Sequence, residues 1–259
     1  MNHVQSSVIH ASPIYYGSHK ERTGAFSLGT ISRDLSAAAD PSDLFERITQ
    51  IILDLGFEYC CYGFKSPILN SGDSVRIFDT YPSEWMTRYK ERDYIDVDPT
   101  VSEGMRSPAP ILWPSYNTSR ESAFWQDARD HGLVYGIAQS SWSAGAAFGM
   151  LSIARSQEIV SSSEYNKISL KINWLANISH SLMSALILDD MGFGSDIQLT
   201  GREREVLIWA AEGMNAAETS AKLNISSSTV NFHIAHILTK LKSANKVQAV
   251  SRAIALGLI

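Results

Sequence analysis

Apolar side chains in the first 190 residues recur with helical spacing in some segments and form short runs in others. The clearest helical segment follows Asp40, a residue type typical of helix N-caps, and places Leu44, Ile48 and Ile52 on one face. The same spacing predicts a long helix over residues 163–188. Shorter helices are predicted at 82–92, 99–105 and 119–131.

Short runs rich in aromatic and β-branched residues predict strands in the same region. The predicted strands cover residues 57–64, 75–80, 136–141 and 149–154. The turn-forming residues 70–73 join the first two of them. Strands in sequence-adjacent pairs, flanked by helices, are typical of an antiparallel sheet, so we predict an α+β domain built as an α-β-α sandwich.

The chain from residue 199 onwards carries four segments with helical character. Thr200 and Glu203 have the spacing of a capping box, and Gly213 is a natural end for the first helix. Ser226 is the expected N-cap of the third helix, whose apolar positions repeat up to Leu241. A turn of about three residues separates the second and third helices, which is the geometry of a helix-turn-helix. We therefore predict an all-α four-helix domain.

The outward face of the third helix suits DNA. Hydroxyl groups and helix N-terminal amides can bind phosphates, and an Asn side chain can pair with the edge of an adenine. The positions on this face are Ser227, Ser228, Asn231, Ala235 and Lys240. A helical bundle with a merely polar face is the alternative that the pattern leaves open.

The pattern divides the chain into four parts. Residues 1–28 lack periodicity and are expected to be a mobile tail, and residues 29–188 form the larger domain. Residues 189–198 are the expected linker, and residues 199–259 are the helical domain. The chain of 259 residues is long enough for two such domains.

The formal charge of −5 is divided unevenly along the chain. Residues 196–259 hold seven Lys and Arg against five Asp and Glu, a net charge of +2, which leaves −7 for residues 1–195. The overall acidity therefore does not exclude DNA binding, although +2 is modest and favours a dimer that doubles the phosphate contacts. No apolar run reaches the ~18 residues that span a bilayer, and the polar N-terminus lacks a signal peptide, so we expect a cytoplasmic protein.

The two cysteines, Cys60 and Cys61, are adjacent in a predicted strand. Neighbouring residues of a strand point to opposite faces, which disfavours a disulfide between them. The seven histidines show no metal-ligand spacing, and there is no Cys-x-x-Cys pair. We expect neither a metal site nor a cofactor.

A second constellation lies in the larger domain. Tyr81, Trp85 and Tyr89 are four residues apart and share one helical face. Asp98 follows among further aromatic residues with no basic neighbour, and a buried carboxylate is costly unless its oxygens accept hydrogen bonds. The amide N–H of a ligand would meet that need. The alternative is that these residues simply fill the core.

With these residues in view, the chain resembles the LuxR family of quorum-sensing transcriptional regulators over residues 35–259. The C-terminal signature of the family is carried by Glu203, Leu207, Gly213, Ile225, Ser226, Thr229, Val230, His233, Lys240, Leu241 and Asn245. The resemblance implies that DNA is bound by Ser226, Ser227, Ser228, Thr229, Asn231, His233, Ala235 and Lys240. Base contacts are expected at Asn231 and at Ala235, and Ala235 either touches a thymine methyl or contributes little.

The same resemblance implies that an acyl-homoserine lactone is the signal. The implied ligand-binding residues are Tyr81, Trp85, Tyr89, Asp98, Trp113 and Ser152. Trp85 would donate to the lactone carbonyl, Asp98 would accept the amide N–H, and Tyr81 with Ser152 would donate to the acyl carbonyl. Tyr89 and Trp113 would pack against the lactone ring and the start of the acyl chain, and Gly136 fills the remaining invariant position of the family.

The chain also resembles the branch of the family that answers to octanoyl-homoserine lactone, in stretches 57–64, 139–142 and 173–177. We therefore expect an unsubstituted acyl chain of about eight carbons. The family also implies dimerisation, a partly palindromic promoter site and contact with RNA polymerase. The helix at 163–188 is the candidate dimer seam, and packing on its own sheet is an alternative of similar weight.

Two other classes of protein compete with this interpretation. One is an orphan regulator of the same family that binds DNA without a signal or with a different one. The other is an enzyme, such as a lactone hydrolase with Ser152, His131 and Asp98 as its reacting groups. Ser152 lies in a plain strand sequence without a nucleophile-elbow pattern, so we expect no catalytic residues.

Overall fold

The computed structural model describes residues 6–10, 27–66, 68, 75–113, 123–143, 146–194 and 197–259. The strands within these ranges are β1 Ser6–His10, β2 Tyr59–Lys65, β3 Val75–Asp79, β4 Ile111–Trp113, β5 Tyr135–Ser143 and β6 Ala147–Arg155. The helices before residue 200 are α1 Leu28–Ser36, α2 Pro41–Asp54, α3 Ser83–Glu91, α4 Pro99–Gly104, α5 Ala123–Asp130 and α6 Ser162–Asp190, and a 3-10 turn covers Tyr94–Asp96.

The strands form one sheet in the order β1-β3-β2-β6-β5-β4. β1 is parallel to β3, and the other neighbouring pairs are antiparallel. Successive side chains of a strand point to opposite faces of the sheet. On β2, Cys60 and Tyr62 are fully buried in the main core, whereas Cys61 and Gly63 line a cavity on the other face.

Helices cover both faces of the sheet. On one face α1, α2 and α6 build the main core, in which Ile48, Tyr62 and Leu175 are completely buried. On the other face α3 and α5 bring Trp85 and Phe124 over the sheet, and α4 lies beside β4 and β5. This arrangement is the predicted α-β-α sandwich.

The C-terminal part consists of α7 Gly201–Ala211, α8 Ala216–Leu223, α9 Ser227–Lys240 and α10 Lys246–Ala255. The predicted capping box forms, since the Thr200 hydroxyl accepts from the Glu203 amide and the Glu203 carboxylate accepts from the Thr200 amide. The Ser226 side chain caps α9, as predicted. Val206, Leu207, Ile237 and others form a separate small core.

The two-domain α+β architecture is confirmed. The predicted strands at 136–141 and 149–154 lie within β5 and β6, and the long predicted helix lies within α6. The sequence pattern did not predict three elements, which are β1, α1 and the three-residue β4. The predicted turn at 70–73 lies outside the described residues, as does most of the predicted tail, of which Ser6–His10 forms β1. The domain boundaries proposed from the sequence stay a prediction.

Candidate functional site

A cavity of about 290 Å³ lies between the sheet and helices α3 to α5. Its walls are largely apolar, and a few polar groups point into it from three sides. Its lining includes each of the six residues that the sequence singled out, Tyr81, Trp85, Tyr89, Asp98, Trp113 and Ser152. The structure thus brings together residues that are up to 71 positions apart in the chain.

Three of the described charged residues line the cavity, Lys65, Asp96 and Asp98, and of these Asp98 has a buried side chain. Its Oδ1 accepts from the amide of Thr100 at 2.8 Å and from the hydroxyl of Thr100 at 2.7 Å, and its Oδ2 accepts from the hydroxyl of Tyr89 at 3.0 Å. Burial raises the pKa of Asp98 from its usual value, and the hydrogen bonds from Thr100 and Tyr89 oppose that shift. These partners hold the carboxyl in one orientation towards the cavity.

Aromatic rings form the adjoining wall. Trp85 is buried, and its ring lies 5.6 Å from that of Tyr89 and 5.7 Å from that of Phe124. Burial raises the pKa of Tyr89, and that of Tyr81, well above the usual range of a phenol. Both hydroxyl groups therefore stay protonated at neutral pH and remain hydrogen-bond donors.

The Trp113 ring is placed by a close approach to β5. A Cβ added at Gly136 would lie 2.8 Å from the Trp113 ring and would also collide with the Ile153 carbonyl oxygen, so only glycine fits there. The Trp113 ring also meets that of Trp125, with 5.7 Å between the centroids. The indole nitrogen of Trp113 is buried and has no hydrogen-bond partner among the residues that the structure describes.

The structure adds residues that the sequence reasoning missed. Thr100 makes two of the bonds to Asp98, and Phe124 contributes a ring from α5. Cys61 enters the wall from β2, and burial raises the pKa of its thiol well above the usual value. The spacing Asp98-x-Thr100 at the start of a proline-initiated helix was a usable signal for Thr100, because a capping carboxylate binds the N2 amide.

The geometry does not assemble the hydrolase that the sequence left open. The Nδ1 atom of His131 lies 2.6 Å from the carbonyl oxygen of Asp127, and its ring packs against Trp85. Asp98 is bonded to Tyr89 and Thr100. His131 and Asp98 are thus each engaged elsewhere, and no hydrogen bond joins either of them to Ser152 among the described contacts.

The second candidate site is the surface formed by α8 and α9. Asn224 ends α8 in the left-handed conformation at φ +52°, and this turns the chain into α9. The predicted residues at the start of α9 bond to one another: the Ser226 hydroxyl lies 2.6 Å from that of Ser228 and 2.8 Å from that of Thr229. Ser227 donates to Ser220 of α8, which ties the two helices together.

Asn231 and Ala235 are exposed on one face of α9, as predicted, and His233 is half-buried. Phe232, which the sequence reasoning did not single out, is 57% exposed beside them. Lys240 is less available than predicted, because its ammonium lies 2.7 Å from the buried Glu203 carboxylate. That ion pair, with the capping bonds of Thr200, lowers the pKa of Glu203 against the opposing effect of burial.

Two negative findings apply to the described ranges alone. No group of three or more His, Cys, Asp or Glu side chains there is placed to hold a metal ion. None of the helices described is long and apolar enough to cross a membrane.

Known families match both parts of the chain that hold these candidate sites. Residues 40–183 match the family described as "Autoinducer binding domain", and residues 197–253 match "Bacterial regulatory proteins, luxR family". The first match contains the cavity, and the second contains α7 to α9 and most of α10.

Relatives cover nearly the whole chain. The transcriptional activator protein SolR of Ralstonia nicotianae is 46% identical over 86% of this chain and 94% of its own length. The HTH-type quorum-sensing regulator RhlR of Pseudomonas aeruginosa is 33% identical over 85% and 91%. The crystal structure of Escherichia coli SdiA superposes with a TM-score of 0.76 at 27% identity, covering 89% of this chain and 97% of that one.

These relatives are transcription regulators and not enzymes, and their ligand is a signal rather than a cofactor. The cavity therefore lies within an autoinducer-binding domain, and the surface of α8 and α9 belongs to a DNA-binding domain. The chain belongs to the LuxR family of quorum-sensing, ligand-responsive transcription regulators.

Proposed function

We propose that the protein binds an unsubstituted acyl-homoserine lactone with a chain of about eight carbons and then controls quorum-sensing genes. The observation that carries this proposal is a buried carboxylate, Asp98, held in the wall of an aromatic cavity. A ligand that donates one N–H and accepts two or more hydrogen bonds matches the groups around it. An acyl-homoserine lactone has this pattern, with an amide N–H and two carbonyl oxygens.

In the proposed pose the polar head lies between α3 and α4. Asp98 accepts the amide N–H, Trp85 donates to the lactone carbonyl, and Tyr81 with Ser152 donates to the acyl carbonyl. Tyr89 and Trp113 pack against the ring. The remaining wall, formed by side chains such as Met150 and Phe148, is apolar and suits a hydrocarbon chain.

A relative supports a chain of medium length. A structure described as SdiA in complex with octanoyl-rac-glycerol superposes on this chain with a TM-score of 0.74 and covers 89% of it. An octanoyl group has eight carbons, the length expected from the sequence. The ligand of that relative is an acyl glycerol, so the comparison supports the acyl chain, and the lactone headgroup is tested by the thermal measurements below.

We further propose that the protein acts as a homodimer on a partly palindromic promoter site. Two helices expose apolar side chains that a second copy would cover: Leu170 of α6 is 81% exposed, and Val247 and Ile254 of α10 are 76% and 50% exposed. Contact with RNA polymerase and a cytoplasmic location follow from control of a bacterial promoter.

The dimer is tested by sedimentation velocity of the full chain with signal. Leu170→Glu and Ile254→Glu place a charge on α6 and α10 respectively, and each is expected to weaken dimerisation. Ile159→Glu is the matched control, since Ile159 is 62% exposed and lies on neither helix. Unchanged dimerisation in both test variants would show that neither α6 nor α10 forms the dimer interface.

The signal is tested by the thermal midpoint of the purified protein with unsubstituted and 3-oxo lactones of different chain lengths. Ligand at a hundredfold excess over its dissociation constant adds ~2.7 kcal/mol of stability, which corresponds to several degrees. A maximum at about eight carbons is expected. A flat response from folded protein that still binds promoter DNA would favour the orphan regulator.

A further inference from the structure

Gly63 occupies an unusual place in the sheet. It lies in β2, which has a hydrogen-bonded neighbour on each side, yet it is half-exposed because it faces the cavity. A Cβ added at Gly63 would meet nothing within 4 Å. Gly136 is different, since its added Cβ would collide with Trp113. Packing thus requires glycine at position 136 but not at position 63.

The strand register places Gly63 along the length of the cavity. Ser152 pairs with Cys61, Met150 pairs with Gly63, and Phe148 pairs with Lys65. These three rows face the cavity at intervals of about 6.7 Å, because a strand rises by about 3.3 Å per residue. Gly63 is therefore one row beyond Ser152, in the direction away from the polar head.

We propose that Gly63 selects the length of the acyl chain, an inference that rests on the proposed lactone ligand. With the acyl carbonyl at Ser152, carbon–carbon bonds of ~1.5 Å bring an extended chain to the Gly63 row after about five bonds. The missing side chain leaves room there between Met150 and Ile77, the partners of Gly63 on the flanking strands. Chains of eight carbons cross this row, and chains of four carbons end before it.

The backbone permits a direct test. The φ angle of Gly63 is not positive, so alanine or valine can adopt the same backbone conformation without strain. Both residues have a higher strand propensity than glycine, and the fold is expected to persist. Gly29→Ala is the matched control, because Gly29 lies on exposed α1 and its added Cβ would also meet nothing.

The experiment measures dissociation constants of butanoyl-, hexanoyl-, octanoyl- and decanoyl-homoserine lactone for full-length wild type, Gly63→Ala, Gly63→Val and Gly29→Ala. For Gly63→Val we expect octanoyl binding to weaken by about tenfold or more while butanoyl binding changes by less than about threefold. Gly63→Ala should show the same trend more weakly, and it remains informative if the valine variant fails to fold.

Two results would overturn the assignment of Gly63. One is an unchanged length profile in both Gly63 variants, and the other is an equal loss of affinity for every chain length. Failure of the lactone proposal looks different, because wild type and the Gly29→Ala control would then bind no lactone of any length. In that case the proposal that Gly63 selects the acyl length would be wrong as well.

Discussion

Asp98 meets hydrogen-bond donors on the protein side of the cavity wall. The amide and hydroxyl of Thr100 and the hydroxyl of Tyr89 donate to its carboxylate, and the Val101 backbone adds a further hydrogen bond. An ionised carboxylate can only accept hydrogen bonds. An incoming N–H donor is therefore complementary to this acceptor, whereas a carbonyl group would be repelled.

Exchanging that acceptor for a donor should silence the lactone response. In Asp98→Asn the shape is kept and Oδ1 can still accept from Thr100, but an NH₂ group replaces an acceptor oxygen. We expect the ~2.7 kcal/mol of stabilisation at a hundredfold ligand excess to disappear in thermal melts, as it should in Asp98→Ala. Asp54→Asn, an exposed change at the end of α2, should respond like wild type. A full thermal shift in both Asp98 variants would contradict the role of Asp98.

Asn231 is exposed on α9, and its side chain can pair with the edge of an adenine. Asn231→Ala should weaken binding to the specific promoter site by about 1–3 kcal/mol in titrations at fixed salt. Affinity for unrelated duplex DNA should change by less than about twofold, since phosphate contacts dominate that binding. Equal promoter affinity in wild type and variant would exclude a base contact at this position.

The residues that line the cavity could be predicted better than the residues that support them. Tyr81, Trp85 and Tyr89 share a helical face, so their grouping was visible in the sequence. The attachment of Lys240 to Glu203 was not, because it joins α9 to α7 across 37 residues and depends on how the helices pack. Phe232 was missed for the reverse reason: a bulky apolar residue suggests burial, and only the packing shows it to be exposed.

At the scale of elements, α6 meets the sheet through polar as well as apolar groups. His180 of α6 is 2% exposed, and its Nδ1 lies 2.9 Å from the Tyr62 hydroxyl of β2. Gly149 of β6 leaves room for this pair, since an added Cβ would collide with the His180 ring and lie 2.8 Å from the Tyr62 oxygen. The buried Nε2 of His180 has no hydrogen-bond partner within the described part of the chain.

Burial of His180 should make the sensor domain sensitive to acid. Desolvation lowers the pKa of His180 below its ordinary value of 6.5, against a smaller opposing effect of the Ala147 backbone. Below pH 6.5 the unfolded chain therefore binds more protons at this site than the folded chain, and the free energy of unfolding falls. His180→Gln can still bond Tyr62 but does not titrate, so its urea midpoint should fall less than that of wild type between pH 7 and about pH 5.5. Parallel pH profiles would rule out His180 as the cause.

Elements with a long repeat were predictable, and short edge elements were not. α6 spans 29 residues, and its buried positions recur at helical spacing. β4 contains three residues and β1 contains five, lengths at which periodicity carries little information. Both strands lie at the edges of the sheet, where a neighbouring strand rather than the local pattern determines their conformation.

At the scale of the whole molecule, the two domains meet around Phe193, just after α6. The Phe193 ring is 6% exposed and lies 5.1 Å from the Arg252 guanidinium of α10 and 5.3 Å from the Lys242 ammonium. Ile68 and Ala255 complete this interdomain cluster. Lys242 also donates to the Met191 carbonyl oxygen at 3.2 Å, so a single loop of the helical domain holds the end of the sensor domain.

The interdomain cluster is connected to the cavity by β2. Ile68, which is 1% exposed within the cluster, follows three residues after the last residue of β2, Lys65. Gly63 and Lys65 line the far end of the cavity. Because β2 runs from the cavity towards Ile68, we predict that ligand binding at the cavity alters the packing around Phe193, and this coupling can be tested.

Removing the Phe193 ring should loosen the two domains without unfolding either. Each of the two cation–π contacts of Phe193 is worth ~0.5–1 kcal/mol. Their loss in Phe193→Ala should raise the population of molecules with separated domains by about fivefold or more. Digestion with a protease that cleaves before aspartate reports this opening, because Asp196 in the linker is unchanged by the substitution. Phe232→Ala, which removes an exposed ring from α9, is the matched control and should be cut at the wild-type rate. Equal cleavage rates for Phe193→Ala and wild type would show that Phe193 does not hold the domains together. A second comparison measures the cleavage rate with and without octanoyl-homoserine lactone. If the lactone changes the rate of wild type but not the faster rate of Phe193→Ala, Phe193 lies on the path from signal to DNA.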